Sequence, residues 1–268
     1  MILFLFITVI GLWEFYNLSM LSRAKPQIWY GIVLGAILFI SNYLFASGYV
    51  NYKVFVLLIP LFVFVFIIEL YREYKRPFKN IAYTYLGIIY IAIPFSLLNY
   101  FVIVSSSGKV LKTILDPINN LTNYFLFIEP NDKIIYSPYI LLGFFLMLWA
   151  NDTGAYVFGV SFGKHKLFPR LSPKKSWEGF IGGALTTFGI AYIISLYFID
   201  LSFVSWIMMA LIIVLTATLG DLVESMYKRS IGVKDSGSIL PGHGGILDRF
   251  DVVLITAPIV FTYLELIN

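Results

Sequence analysis

Residues 203–220 read FVSWIMMALIIVLTATLG, a run of 18 positions without a charge. A helix rises 1.5 Å per residue, so about 20 apolar residues span the ~30 Å hydrocarbon core of a bilayer, and this run predicts a transmembrane helix. Acids, a hydroxyl and bases follow immediately in DLVESMYKR, residues 221–229. Working outward, seven more apolar segments appear, giving spans at roughly 2–20, 28–47, 53–70, 80–104, 136–162, 177–199, 203–220 and 250–267. The 136–162 segment is longer than one span needs and contains Asn151-Asp152-Thr153-Gly154. It is therefore open to breaking in two, and the span count runs from seven to nine around a central expectation of eight. The first segment has no basic leader, contains Glu14 and lacks a small-residue cleavage site, so it reads as a retained span.

Composition agrees. The 268 residues are 59% hydrophobic and 13% charged, with a mean hydropathy of +0.85, against about 25% charge in a soluble domain. The hydrophobic total, about 158 residues, is close to the ~160 that eight spans require. The absence of cysteine excludes a disulfide scaffold, thiol catalysis and cysteine-ligated zinc. The fold class expected is thus an all-α polytopic integral membrane protein. Residues 1–104 form N-terminal spans, 105–134 an external loop with a short helix, and 135–268 a catalytic membrane core, all within one membrane domain.

The basic residues orient the chain. Alternate connections carry Arg23 and Lys25; Arg72, Lys75, Arg76 and Lys79; Lys164, Lys166, Arg170, Lys174 and Lys175; and Lys228, Arg229, Lys234 and Arg249. These are 15 of the 19 Lys and Arg residues, the opposite connections holding only Lys53, Lys109, Lys112 and Lys133. By the positive-inside rule the first set is cytoplasmic, in a cell or inner membrane.

Residue types suited to chemistry collect in the second half of the chain. Asp152 lies inside a span, where a carboxylate costs about 2.5–3.5 kcal/mol on insertion scales and should face a polar cavity. At the entry to the sixth span, Pro173 prevents an early helix start and Ser176 is a plausible N-cap. Lys174, Lys175 and the free backbone N–H groups there make an anion site. Glu178 just inside the span is hard to explain otherwise, while Gly179, Gly182 and Gly183 allow close helix packing. If the seventh helix continues past residue 220, Asp221, Glu224, Ser225 and Lys228 share one face. Asp248 and Asp251 likewise share a face at the start of the eighth. Between them, Pro241, Gly242, Gly244 and Gly245 allow a tight turn whose N–H groups can approach a phosphate. With His165 and His243 the only histidines, hard oxygen ligands favour magnesium over zinc.

The run Ser225-x2-Lys228-Arg229-x4-Lys234-Asp235-x-Gly237-x2-Leu240-Pro241-x-His243-Gly244-Gly245-x2-Asp248-Arg249-x-Asp251 resembles the signature of the phosphatidate cytidylyltransferase (CDP-diacylglycerol synthase) family. Ser172-Pro173-Lys174-Lys175-Ser176-Trp177-Glu178-Gly179 and Asp152-Thr153-Gly154-Ala155-Tyr156 resemble two further segments of that family, with Ser176 where threonine is more usual. The motifs cover about 50 residues, and the first 104 residues are similar only in being hydrophobic. The resemblance implies the reaction of CTP with phosphatidate to give CDP-diacylglycerol and pyrophosphate, in a polytopic homodimer needing magnesium, with a monovalent cation such as potassium also at the site. It implies Asp221 and Asp248 as metal ligands and Asp152 as a further acidic member, holding a second cation or orienting Lys174; Lys174 joins these three as a catalytic candidate. Substrate contacts are expected from Ser172, Lys175, Ser176, Glu178, Glu224, Ser225, Lys228, Arg229, Lys234, Asp235, His243, Gly244, Gly245, Arg249 and Asp251. No nucleic-acid partner is expected. Two rivals remain at this level: a transporter or flippase for a lipid phosphate, and a cytidylyltransferase for an isoprenoid-type lipid phosphate. A CDP-alcohol phosphotransferase is disfavoured, because no Asp-Gly-x-x-Ala-Arg stretch occurs.

Overall fold

A computed structural model describes residues 1–105, 134–169, 171–237 and 244–267. Eight of its helices are long and apolar enough to cross a membrane. They are α1 (Ile2–Leu21), α2 (Ile28–Ala46), α3 (Lys53–Leu70), α4 (Pro77–Phe101), α5 (Tyr139–Phe162), α6 (Trp177–Tyr197), α7 (Phe203–Ser230) and α8 (Leu247–Ile267). The chain is an all-α polytopic membrane protein. The break to which the fifth span was open does not occur: α5 is one continuous helix of 24 residues through Asn151-Asp152-Thr153-Gly154. The interruption falls in α4 instead, where a π-turn at Ile88–Ala92 precedes Pro94. A proline has no N–H to offer the preceding turn, and a locally widened turn absorbs the mismatch.

Two short antiparallel pairings complete the described structure. Strand β1 (Ile103–Ser105) pairs with β2 (Ile134–Tyr136), and β3 (Lys166–Phe168) pairs with β4 (Ser172–Ser176). The first pair closes the two ends of the connection expected to be external; its interior, 106–133, lies outside the described residues. The second turns the basic connection between α5 and α6 into a hairpin, so Lys174 and Lys175 sit on a strand rather than on a free loop.

Glycine governs the helix packing next to this hairpin. A Cβ at Gly154 of α5 would lie 2.8 Å from the Gly182 carbonyl, and one at Gly183 would lie 2.9 Å from the Asn151 carbonyl. The backbones of α5 and α6 are therefore in contact, as the small-residue spacing predicts. Helix α7 packs on α6 and α8, and α8 in turn packs on α4 and α1. Large side chains fill the rest of the interior; Tyr16, Phe95, Phe144 and Trp206 are fully buried, Tyr16 against Gly31 and Gly87 and Trp206 against Gly143. At the basic ends of α1–α4, buried Glu69 accepts from Gln27 Nε2 (2.9 Å), Asn80 Nδ2 (2.6 Å) and Arg72 (2.8 Å).

Candidate active site

Helix α7 does not stop at the apolar run but continues to Ser230. That extension carries Asp221, Glu224, Ser225 and Lys228 down one face, at the spacing read from the sequence. Lys228 at its foot donates to Glu224 Oε2 at 3.0 Å and to Asp248 Oδ1 at 2.6 Å. Asp248 begins α8, so this lysine ties the end of one helix to the start of the next. Higher up, Lys175 of β4 forms an ion pair with Asp221. Ser176 caps α6 through Gly179 N–H at 3.2 Å, which fixes the strand-to-helix corner that aims Lys175.

These elements enclose a pocket of about 420 Å³ between α5, β4, α6, α7 and α8. Asp152, Ser172, Lys174, Lys175, Asp221, Asp248 and Asp251 all face it. Carboxylate oxygens of Asp221, Glu224 and Asp251 lie within 4.8 Å of one another, close enough to share one cation. Glu224 is 2% exposed, and its Oε1 has no hydrogen-bond partner among the described residues. A buried carboxylate oxygen without a donor, beside two more carboxylates, suits a hard divalent cation with oxygen ligands.

The sequence reading grouped Asp221 with Asp248 and Asp152; in the structure the carboxylates gathered around Asp221 are Glu224 and Asp251, while Asp152 and Asp248 line the same pocket. Asp248 is occupied in holding the chain together. Besides Lys228, its Oδ2 accepts from the Ser236 N–H (2.9 Å), the Ser236 hydroxyl (2.9 Å) and the Gly245 N–H (3.0 Å). It thereby fastens both ends of the glycine-rich connection to the N-terminus of α8. Gly244 has φ +80°, a left-handed conformation that glycine adopts without steric cost. The connection's middle, 238–243, including His243 and the Pro241-Gly242 turn, lies outside the described residues, as does Arg170.

Other residues expected to contact substrate have protein partners in the structure. Glu178 binds His165, accepting its backbone N–H at 3.2 Å and meeting Nδ1 at 2.6 Å, so it secures the hairpin. Arg229 donates to the Val233 carbonyl at 3.2 Å, bracing the chain just after α7. Lys234, Asp235 and Arg249 are exposed and Ser225 is half-buried on α7.

The sequence reading missed Glu14. It sits about two-thirds of the way along α1, is 3% exposed, and accepts the Ile246 N–H at 2.7 Å. Its other oxygen meets the Ser236 hydroxyl, whose single proton lies between Glu14 and Asp248. A Cβ added at Gly245 would collide with both Glu14 and Ser236, so that glycine is required by close approach. The available signal was a lone carboxylate inside an apolar span, which seldom occurs without a partner.

A membrane protein whose helix ends and a basic strand gather acids and lysines around one pocket has the parts for handling phosphates. Residues 1–267 match the cytidylyltransferase family, and the chain belongs to it. Among its relatives are the phosphatidate cytidylyltransferases of Staphylococcus haemolyticus and Staphylococcus aureus, each 52% identical over 124 residues, and that of Staphylococcus saprophyticus at 50%. The aligned stretch is 46% of this chain and 47% of each relative, so the chain spans about half the length of the curated relatives it matches.

Proposed function

We propose that this protein transfers the cytidylyl group of CTP to phosphatidate, giving CDP-diacylglycerol and pyrophosphate. The observation that carries the reading is the pocket itself: three clustered carboxylates facing two lysines, at the basic ends of membrane helices. A phosphate oxygen of phosphatidate bonds to the α-phosphorus of CTP while the bond from that phosphorus to the bridging oxygen of the β,γ-diphosphate breaks. Pyrophosphate leaves with the bonding pair. The nucleophile is already anionic and needs no general base, so the main barrier is repulsion between two polyanions.

The chain's residues act on that repulsion. Lys175 and Lys228, held by Asp221 and by Glu224 with Asp248, are positioned to exchange carboxylates for phosphate oxygens. Lys174 adds positive field from the same strand. Asp221, Glu224 and Asp251 would hold magnesium, which when bound neutralises charge on the phosphates. Asp152 faces the pocket from α5 and is the candidate for a second, monovalent cation or for orienting Lys174. In the positive-inside orientation the pocket opens to the cytoplasm, where CTP is available, and phosphatidate enters laterally from the inner leaflet. Continuous α5 and acids gathered at one end disfavour the transporter reading, which calls for broken helices and a midplane site.

Purified protein incubated with α-labelled CTP, magnesium and dioleoyl-phosphatidate should yield a lipid-extractable label and stoichiometric pyrophosphate. Faster labelling of a polyprenyl phosphate would reassign the lipid, and lipid movement without CTP turnover would replace the enzyme by a transporter. The homodimer that the family resemblance implies belongs to the same proposal and is tested by light scattering of the detergent-solubilised protein.

A further inference from the structure

A second cleft, of about 450 Å³, opens at the basic ends of α1–α4, outside the pocket just described. Arg23 and Lys25 border it from the α1–α2 connection, and Glu73, Tyr74, Lys75 and Arg76 from the α3–α4 connection. Four cations therefore face a single carboxylate. Glu69, the nearest buried acid, does not neutralise them, because Gln27, Asn80 and Arg72 occupy it.

The cleft is constructed rather than a chance gathering of surface lysines. The Lys25 N–H donates to Asn80 Oδ1 at 2.7 Å, Arg72 donates to the Lys25 carbonyl at 2.9 Å, and Lys79 donates to the Ser22 carbonyl. Those bonds turn the carbonyl oxygens of the first connection inward and leave its cationic side chains at the opening. Arg23 (φ +61°) and Glu73 (φ +51°), one from each connection, both adopt the left-handed conformation. Non-glycine residues held there cost energy, and both strained positions border this cleft. Lys25 and Arg72 stack over the Tyr74 ring, 4.5 and 4.8 Å from its centre. Positive-inside orientation requires cations somewhere in these connections, but it requires neither convergence on one cavity nor strained backbone around it.

The rim identifies the ligand's source. Leu70 and Tyr71, just before the lining residues of the α3–α4 connection, and Phe78, just after them, are 78%, 83% and 77% exposed, and α3 is mostly unburied along its length. An apolar, lipid-facing border beside a cationic cleft suits an amphiphile, with its phosphate in the cleft and its chains along α3. We propose that this cleft is a binding site for the phosphate headgroup of an anionic phospholipid, separate from the candidate active site and independent of the reaction assigned there.

The test uses the full chain in nanodiscs of phosphatidylcholine containing phosphatidylglycerol, with retained lipid read by native mass spectrometry. The wild type should retain phosphatidylglycerol selectively. The triple variant R23Q/K75Q/R76Q should lose affinity by roughly 100-fold at about 1 kcal/mol per cation, and Arg76→Glu alone should lose a measurable part of it. Asp221→Asn should retain the lipid as the wild type does. Equal retention by wild type and both basic variants would overturn the site. Displacement of the lipid by millimolar inorganic phosphate, with the same dependence on Arg23, Lys75 and Arg76, would overturn the lipid assignment in favour of a soluble anion.

Discussion

Replacing Glu14 with alanine removes no residue from the pocket wall, yet it should disable the pocket. The carboxylate accepts the Ile246 N–H at 2.7 Å and the Ser236 hydroxyl, on either side of the glycine-rich connection. After truncation Ser236 still has Asp248 as an acceptor at 2.9 Å, whereas the Ile246 N–H is left without its carboxylate. An orphaned donor costs about 1–3 kcal/mol, partly offset because a buried carboxylate no longer has to be desolvated. The fold should therefore survive with a modest fall in melting temperature. Activity should fall much further, because Gly245 and Asp248 lose the support that sets their position, and a misplacement of about 1 Å can cost roughly 100-fold in rate. Glu14→Gln separates the two effects. Its carbonyl can still accept from Ile246 and its amide can donate to Ser236, which then donates to Asp248, so most of the turnover should return. The assay is steady-state CTP incorporation alongside thermal melting. Wild-type kcat in Glu14→Ala, or a Gln variant as inactive as Ala, would refute the positioning role.

Asp221→Asn removes one of three clustered carboxylates and the partner of Lys175, and should lower turnover by at least about 100-fold with the melting temperature nearly unchanged; normal turnover would remove Asp221 from the metal assignment. Gly245→Ala should inactivate the enzyme more completely than Glu14→Gln, because its methyl group would collide with both Glu14 and Ser236; activity within a few-fold of wild type, read in the same assay, would mean the connection relaxes freely. A cysteine introduced by Ser230→Cys, exposed at the end of α7, should react with an impermeant thiol reagent only from the cytoplasmic side. Labelling from outside would invert the orientation.

What could be read from the sequence was what repeats or what is costly. Uninterrupted apolar runs marked the spans because a bilayer tolerates little else, and the i, i+3, i+4, i+7 spacing from Asp221 to Lys228 placed those groups on one helix face. Gly179, Gly182 and Gly183 marked a close helix contact, though not that its partner would be α5. Pairing across the chain was not legible. Nothing local distinguishes Asp248, bound to Lys228, Ser236 and Gly245, from Asp251, which joins Asp221 and Glu224, since both lie on the same turn and the partners come from other helices. Glu178 looked like a pocket residue because an acid at a span entry is unusual, but the β3–β4 hairpin supplied it with His165. Strands of three to five residues are too short to leave a period in the sequence.

The bond from Ile246 to Glu14 joins residues 232 positions apart, the first membrane helix to the last. During synthesis α1 enters the membrane carrying a carboxylate whose partners have not yet been made. At about 5–20 residues per second, that interval lasts roughly 10–50 seconds. Until α8 arrives, the acid must be solvated at the membrane edge or shielded by another protein, so insertion of the final helix is also the step that lets the first one settle.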